Sequence, residues 1–154
     1  MKVKEDLADM IVKAVKLSTK INKSGVEYDY IYPIPRGGYA PAIILSQVTK
    51  IPIILDLNHI GDYKVLIVDD ICDSGETLKV YAEQGYDTCV YYSREKTKDI
   101  PTYYGALSSD WIQFPDEPDN DIDRELLRVK EYLVSGNEGE ETTKSLLQDI
   151  KNLL

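Results

Sequence analysis

Apolar residues recur at helical spacing across 7–21: Leu7, Met10, Ile11, Ala14, Val15 and Ile21. Steps of three and four run such residues down one side of a helix, so the segment predicts an amphipathic helix packed by one face. Ser24-Gly25 ends it, and 28–34 is a β-rich run rising to the turn Pro35-Arg36-Gly37-Gly38. Pro41 suits the first turn of a second helix over 42–48, and 53–57 reads as the following strand. A short polar turn at 58–62 leads into Val65-Leu66-Ile67-Val68, which is apolar at every position. A central parallel strand has that pattern because helices cover both of its faces. A helix from about 76 to 84 follows, then strands near 88–92, 103–107 and 111–114. The alternation predicts an α/β fold, a mainly parallel sheet flanked by helices.

The pattern changes near residue 116. Segment 116–125 carries Asp116, Glu117, Asp119, Asp121, Asp123 and Glu125 against a single Arg124. Two helical stretches follow, 124–133 and 142–154, split by Ser135-Gly136-Asn137. The 154 residues therefore read as one domain, 1–154, with a core over about 1–117 and an acidic helical C-terminal extension over about 118–154. No internal repeat interrupts this organisation.

Charge and composition narrow the function. Acids outnumber bases 27 to 18, for a net charge of -9. That balance argues against a nucleic-acid binder working by bulk phosphate attraction, and against an anionic-membrane binder. One His and two Cys cannot furnish a four-ligand zinc site. So few cysteines fit a reducing compartment better than a disulfide framework. The N-terminus lacks a signal-peptide apolar block, and no apolar stretch approaches membrane-spanning length, so a soluble cytoplasmic protein is expected. The 12 Tyr against a single Phe suggest tyrosines serving strands or a subunit interface, Tyr91, Tyr92, Tyr103 and Tyr104 among them.

The stretch from Val65 to Leu78 carries the chemistry: Val65-Leu66-Ile67-Val68-Asp69-Asp70-Ile71-Cys72-Asp73-Ser74-Gly75-Glu76-Thr77-Leu78. An apolar strand ends in paired carboxylates, at the sheet edge where open α/β folds bind ligands. A short loop with Ser, Gly and Thr then opens a helix. Its unpaired backbone N–H groups, its hydroxyls and the positive end of the helix dipole make a cradle for a phosphate monoester. Acids beside such a cradle accept hydrogen bonds from hydroxyls, which points to a sugar phosphate. Cys72 has no neighbouring base and reads as a packing residue, and His59 as a turn residue.

This segment resembles the phosphoribosyl-pyrophosphate signature of the type I phosphoribosyltransferases. Upstream, Ile34-Pro35-Arg36-Gly37-Gly38-Tyr39-Ala40-Pro41 is similar to the pyrophosphate loop of the 6-oxopurine branch, the xanthine-guanine and hypoxanthine-guanine enzymes. Downstream, Ser109-Asp110-Trp111-Ile112-Gln113-Phe114-Pro115 resembles that branch's purine-binding hood strand. The motifs follow the family's order and span roughly 28–117.

The resemblance implies roles residue by residue. Asp69 and Asp70 would hold the ribose hydroxyls, directly or through a magnesium-bound water. The loop Asp73, Ser74, Gly75, Glu76 and Thr77 would wrap the 5′-phosphate. Asp73 is the candidate for proton transfer near N7 of the base. Arg36 and Gly37 would meet the pyrophosphate, with a cis peptide at Pro35–Arg36. Trp111 would stack on the purine, if it is not a core aromatic, while the backbone of Ile112 meets the base edge. Arg94 or Lys96 would reach the oxygen at purine position 6. Glu117 falls where the xanthine-guanine enzymes carry a metal-associated acid, and Asp116 is the alternative. The implied cofactor is Mg2+, the substrates are phosphoribosyl pyrophosphate and a purine base, and the assembly a homodimer or homotetramer.

Many family members close the site with a long mobile loop before the signature strand. Here only 58–62 lies between the two predicted strands, so that lid is expected to be almost absent. Its absence keeps a second function in view, a regulator that binds phosphoribosyl pyrophosphate or a nucleotide and has weak catalysis.

Overall fold

The computed structural model describes residues 1–115 together with Lys144, Ser145, Gln148 and Asn152. The chain divides into two compact units, Met1–Pro115 and Asp116–Leu154. In the second, the four described residues are helical and exposed, and Gln148 Nε2 donates to Asn152 Oδ1 at 3.0 Å. The helix expected at 124–133, and Asp116 and Glu117, lie outside the described residues.

The first unit runs β1 (Lys2–Lys4), α1 (Leu7–Ser24), β2 (Tyr30–Pro33), α2 (Tyr39–Thr49), β3 (Val65–Cys72), α3 (Glu76–Glu83), β4 (Asp87–Ser93), a 3-10 turn (Glu95–Thr97), β5 (Tyr103–Leu107) and β6 (Trp111–Gln113). A four-stranded parallel sheet has the order β2-β3-β4-β5, and β1 pairs in parallel with β6 as a separate ribbon. Among the described residues no helix is long and apolar enough to cross a membrane.

Helix α1 starts where Asp6 and Asp9 exchange side-chain and backbone hydrogen bonds, and it ends on Gly25 in the left-handed conformation. It buries Met10, Ala14, Leu17 and Ile21, whose spacing holds one stripe. The wider apolar face expected from sequence is not buried. Leu7, Ile11 and Val15 are exposed: Ile11 and Val15 lie about 90° and 130° around the helix from the centre of that stripe, and Leu7 is the helix's first residue.

Strand β3 sits at the centre. Leu66 and Val68 join the cluster that packs under α1 and α2, while Val65 and Ile67 join the cluster with Leu78 of α3. Successive residues of a strand point to opposite faces, so an unbroken apolar run serves both layers.

Two expectations change. The strand expected at 53–57 does not form. Only Ile53 bridges Ile31, through Ile31 N to Pro52 O at 2.9 Å and Ile54 N to Ile31 O at 2.9 Å. The chain then turns off the sheet edge: Leu55 is exposed, and Ile54, Leu57 and Ile60 pack on the α3-side cluster instead. The chain from the Ile53 bridge to β3 is accordingly 54–64, longer than the turn expected at 58–62. The second change is β1. Only Val3 of Lys2-Val3-Lys4 is partly covered, too little alternation to read as a strand, yet it pairs with Ile112 in register.

Candidate active site

The site collects at the C-terminal ends of β2, β3 and β4. Beyond Val68 the alternation of β3 continues into the acids. The Asp70 carboxylate lies on the α2 side against the turn after β2, and Asp69 lies on the α3 side, toward Tyr81, whose hydroxyl is pushed up by burial and Tyr32, with the Asp69 charge adding to both. Burial, and the Asp70 charge beside it, push the Asp69 carboxyl up to about 8. Asp69 Oδ1 accepts from the Asp70 amide at 3.0 Å, and Asp70 Oδ1 from the Ile71 amide at 2.6 Å.

The turn after β2 is built onto this edge. Ile34 N donates to Val68 O at 2.8 Å, Gly38 N to Ile34 O at 2.9 Å, and Tyr39 N to Arg36 O at 3.2 Å. The Pro35–Arg36 peptide is cis. A Cβ at Gly37 would sit 2.5 Å from Asp70 Oδ2, so a side chain there would displace the Asp70 carboxylate. Arg36 is exposed, and its guanidinium has no hydrogen-bond partner among the described residues.

After Cys72 the chain turns through Asp73 and Ser74 into α3. Gly75 caps the helix at φ 84, a conformation glycine adopts without the Cβ penalty. Ser74 Oγ accepts from the Glu76 amide at 3.3 Å. The amides of Gly75 and Thr77 have no acceptor among the described residues, as expected of a first helical turn. Ser74, Glu76 and Thr77 are exposed, so this end of α3 faces outward with open donors.

A cleft of about 680 Å³ opens beside the loop, lined by Asp73, Arg94, Glu95, Lys96, Leu107, Ser108 and Ser109. Arg94 spans it. Its Nε donates to Asp73 Oδ1 at 2.9 Å, and its Nη1 donates to the carbonyls of Ser108 at 2.9 Å and Asp110 at 2.5 Å. Among the described residues, Arg94 Nη2 and Asp73 Oδ2 take no hydrogen bond. The Arg94 side chain is 15% exposed and that of Asp73 68%, so the pair joins a held cation to a reachable carboxylate.

On the hood, Ile112 is buried, and Trp111 is 66% exposed, which removes the alternative of a core aromatic. The Trp111 amide donates to Met1 O at 2.9 Å, and the amino terminus pairs with Asp110 at 3.3 Å, so β1 braces the strand that carries Trp111.

The donor set suits a hard cation. Asp69 and Asp70 offer carboxylate oxygens of the kind magnesium takes. Among the described residues no three His, Cys, Asp or Glu side chains cluster as a closed metal cage. Magnesium is commonly held by one or two carboxylates with substrate oxygens and water completing its shell, and a single one of these acids fits that mode, since the two lie on opposite sides of β3.

No protein-family model matches the sequence, and no curated protein does. Solved structures do. A purine phosphoribosyltransferase from Pyrococcus horikoshii Ot3 superposes with a TM-score of 0.65 at 26% identity, over 78% of this chain and 97% of that one. A xanthine-guanine-hypoxanthine phosphoribosyltransferase from Helicobacter pylori gives 0.67 at 17% identity, over 84% and 99%. A hypothetical protein from Neisseria gonorrhoeae with bound ppGpp gives 0.66 at 23% identity, over 84% and 97%. The chain has the type I phosphoribosyltransferase fold.

Within this phosphoribosyltransferase fold the predicted residues fall into three groups. Asp69, Asp70, Arg36 and Gly37 gather at the end of β3, and Asp73 to Thr77 form the adjoining loop. Arg94 and Lys96 line the cleft with Asp73. Sequence reasoning named Arg94 and Asp73 separately and missed that they pair, because they lie 21 positions apart. It also missed Ser108 and Asp110 as acceptors. The polar run Ser108-Ser109-Asp110 just before the hood strand was the available signal.

Proposed function

We propose that this protein transfers the phosphoribosyl group of 5-phosphoribosyl 1-pyrophosphate to a 6-oxopurine, giving a nucleoside 5′-monophosphate and pyrophosphate. The observation that carries the reading is the Arg94–Asp73 pair at the cleft. Its open Nη2 donor and Oδ2 acceptor make a donor–acceptor edge. A 6-oxopurine has the complement, an acceptor oxygen at position 6 beside an N7–H donor. A 6-aminopurine would set its amino group against the guanidinium.

Each part then has a task. The open amides at the start of α3, with the Ser74 and Thr77 hydroxyls, hold the 5′-phosphate. Asp69 and Asp70 accept from the ribose hydroxyls, directly or through magnesium-bound water. Arg36 and the backbone at Gly37 take the pyrophosphate. Trp111 offers an exposed ring for stacking, the Ile112 backbone meets the base edge, and Lys96 extends the cationic lining of the cleft. Asp69 and Asp70 offer carboxylates, either of which would hold magnesium, which would supply positive charge to the pyrophosphate leaving group. The C1′–O bond to pyrophosphate breaks, a purine nitrogen bonds to C1′, and Asp73 takes the proton the base gives up. Holding the reactants in line supplies much of the acceleration.

Incubation with magnesium, phosphoribosyl pyrophosphate and hypoxanthine, guanine, xanthine or adenine in turn, with pyrophosphate release measured, tests this. Release with a 6-oxopurine and not with adenine is expected. Donor binding without release from any base would establish the regulator instead.

A further inference from the structure

The last paired residues of β3 and β4 are Cys72 and Ser93. Beyond them the two chains diverge, one into Asp73 and the phosphate loop, the other into Arg94 and the turn at 95–97. A buried side chain sits in that fork. Thr97 is 5% exposed and Ser93 fully buried.

Thr97 Oγ1 donates to Cys72 O at 3.0 Å, the nearer of two carbonyls in reach; Arg94 O is at 3.4 Å. It accepts from the Arg94 amide at 3.2 Å and pairs with Ser93 Oγ at 3.2 Å. The Arg94 amide is shared, since it also reaches Cys72 O at 3.2 Å. One hydroxyl therefore ties the residue before Asp73 to the backbone of the residue that grips Asp73. The ladder ends at Cys72 and Ser93, and the hydroxyl adds a second tie beside the Arg94 amide's own bond to Cys72 O, where the two chains leave the sheet.

We propose that Thr97 is a positioning residue. Its hydroxyl sets the fork between β3 and β4 so that the Asp73 carboxylate and the Arg94 guanidinium meet at the cleft. Its kinetic consequence rests on the transferase reading above, but its structural consequence does not.

The test uses Thr97→Val, which keeps the shape and removes the hydroxyl, and Thr97→Ser, which restores it, both in the full chain. The first readout is exchange of the Arg94 Nε–H with solvent by NMR, assigned through Arg94→Lys. Exchange on the order of tenfold faster in Thr97→Val, and restored in Thr97→Ser, is expected for loss of an orienting hydrogen bond. The second is turnover: kcat down on the order of tenfold in Thr97→Val with KM for phosphoribosyl pyrophosphate within about twofold, and Thr97→Ser close to wild type. Unchanged exchange in Thr97→Val overturns the proposal. So does a loss that falls equally on kcat and KM and that Ser does not repair. A wild-type protein with no turnover would sink the transferase reading and leave the exchange measurement to decide Thr97. Should Thr97→Val fail to fold, Ser93→Ala removes the hydroxyl that pairs with Thr97 and is expected to speed Arg94 exchange by a smaller factor; wild-type exchange there overturns the proposal.

Discussion

A methyl group on Gly37 would displace the Asp70 carboxylate, while Asp69, its chain neighbour, lies on the opposite side of the strand, where its charge reaches Tyr81. Two adjacent acids thus serve two surfaces, as the period of a strand requires. Their inequality has a measurable effect. Asp69 titrates near 8 in the folded protein against 3.8 ordinarily. Between those values the folded chain keeps a proton that the unfolded chain has released, so stability is highest at acid pH and declines as pH rises through the window. Denaturation in urea without magnesium, at steps from pH 4.5 to 8.5, should show that decline, with a slope approaching about 1.4 kcal/mol per pH unit where the difference is one full proton. Asp69→Asn should flatten it. A decline of equal size in the variant would assign it elsewhere.

Asp73 is largely exposed, held on one oxygen by Arg94 and open on the other. Asp73→Asn keeps the shape and removes the base. It should lower kcat on the order of 100-fold while donor affinity stays within about twofold, as proton transfer contributes through the transition state. Equal losses in turnover and donor binding, measured by steady-state kinetics and calorimetry, would make Asp73 a binding residue instead.

The central run Val65-Leu66-Ile67-Val68, and the acids and Ser-Gly-x-Thr helix start after it, were legible because strand period, burial and helix entry are local properties. The cis peptide at Pro35–Arg36 was expected from resemblance, and no local pattern indicated it. Residues 53–57 failed for a physical reason: a short apolar run reads alike whether it pairs with a strand or packs on the core without pairing, and here Ile54 and Leu57 did the latter. The Arg94 bridge and the β1–β6 ribbon were invisible for another reason. Both join parts of the chain that only the fold brings together, and β1 offers only Val3 as a pattern.

Gly75 carries two separable constraints. Its φ of 84 disfavours any Cβ, and a Cβ there would also meet Ile100 Cδ1 at 2.2 Å. Gly75→Ala should destabilise by about 1–3 kcal/mol and weaken donor binding, since the strained residue caps the phosphate loop. Ile100→Val removes the clashing atom and no more. Added to Gly75→Ala, it should recover part of the loss in urea denaturation and leave the backbone share. Full recovery would mean that packing alone makes glycine necessary there.

The hood's second anchor is a buried ionic cluster. Glu5, between β1 and α1, is 3% exposed at its side chain and pairs with Lys13 Nζ at 3.0 Å; Lys13 itself is 12% exposed. Tyr92 of β4 donates its hydroxyl to the same carboxylate, and Lys13 lies 4.7 Å from the centre of the Tyr92 ring. Burial and the Glu5 charge hold the Tyr92 hydroxyl well above its usual range, which keeps it a donor. Lys13→Met removes the cation and leaves a carboxylate buried with one neutral partner, a loss expected at about 3–5 kcal/mol. Glu5→Gln in the same chain removes the stranded charge and retains an acceptor for Tyr92. The double variant should therefore be more stable than Lys13→Met alone, although it carries one more substitution. If thermal or urea denaturation found the two losses simply additive, the pair would be acting through packing and not through charge.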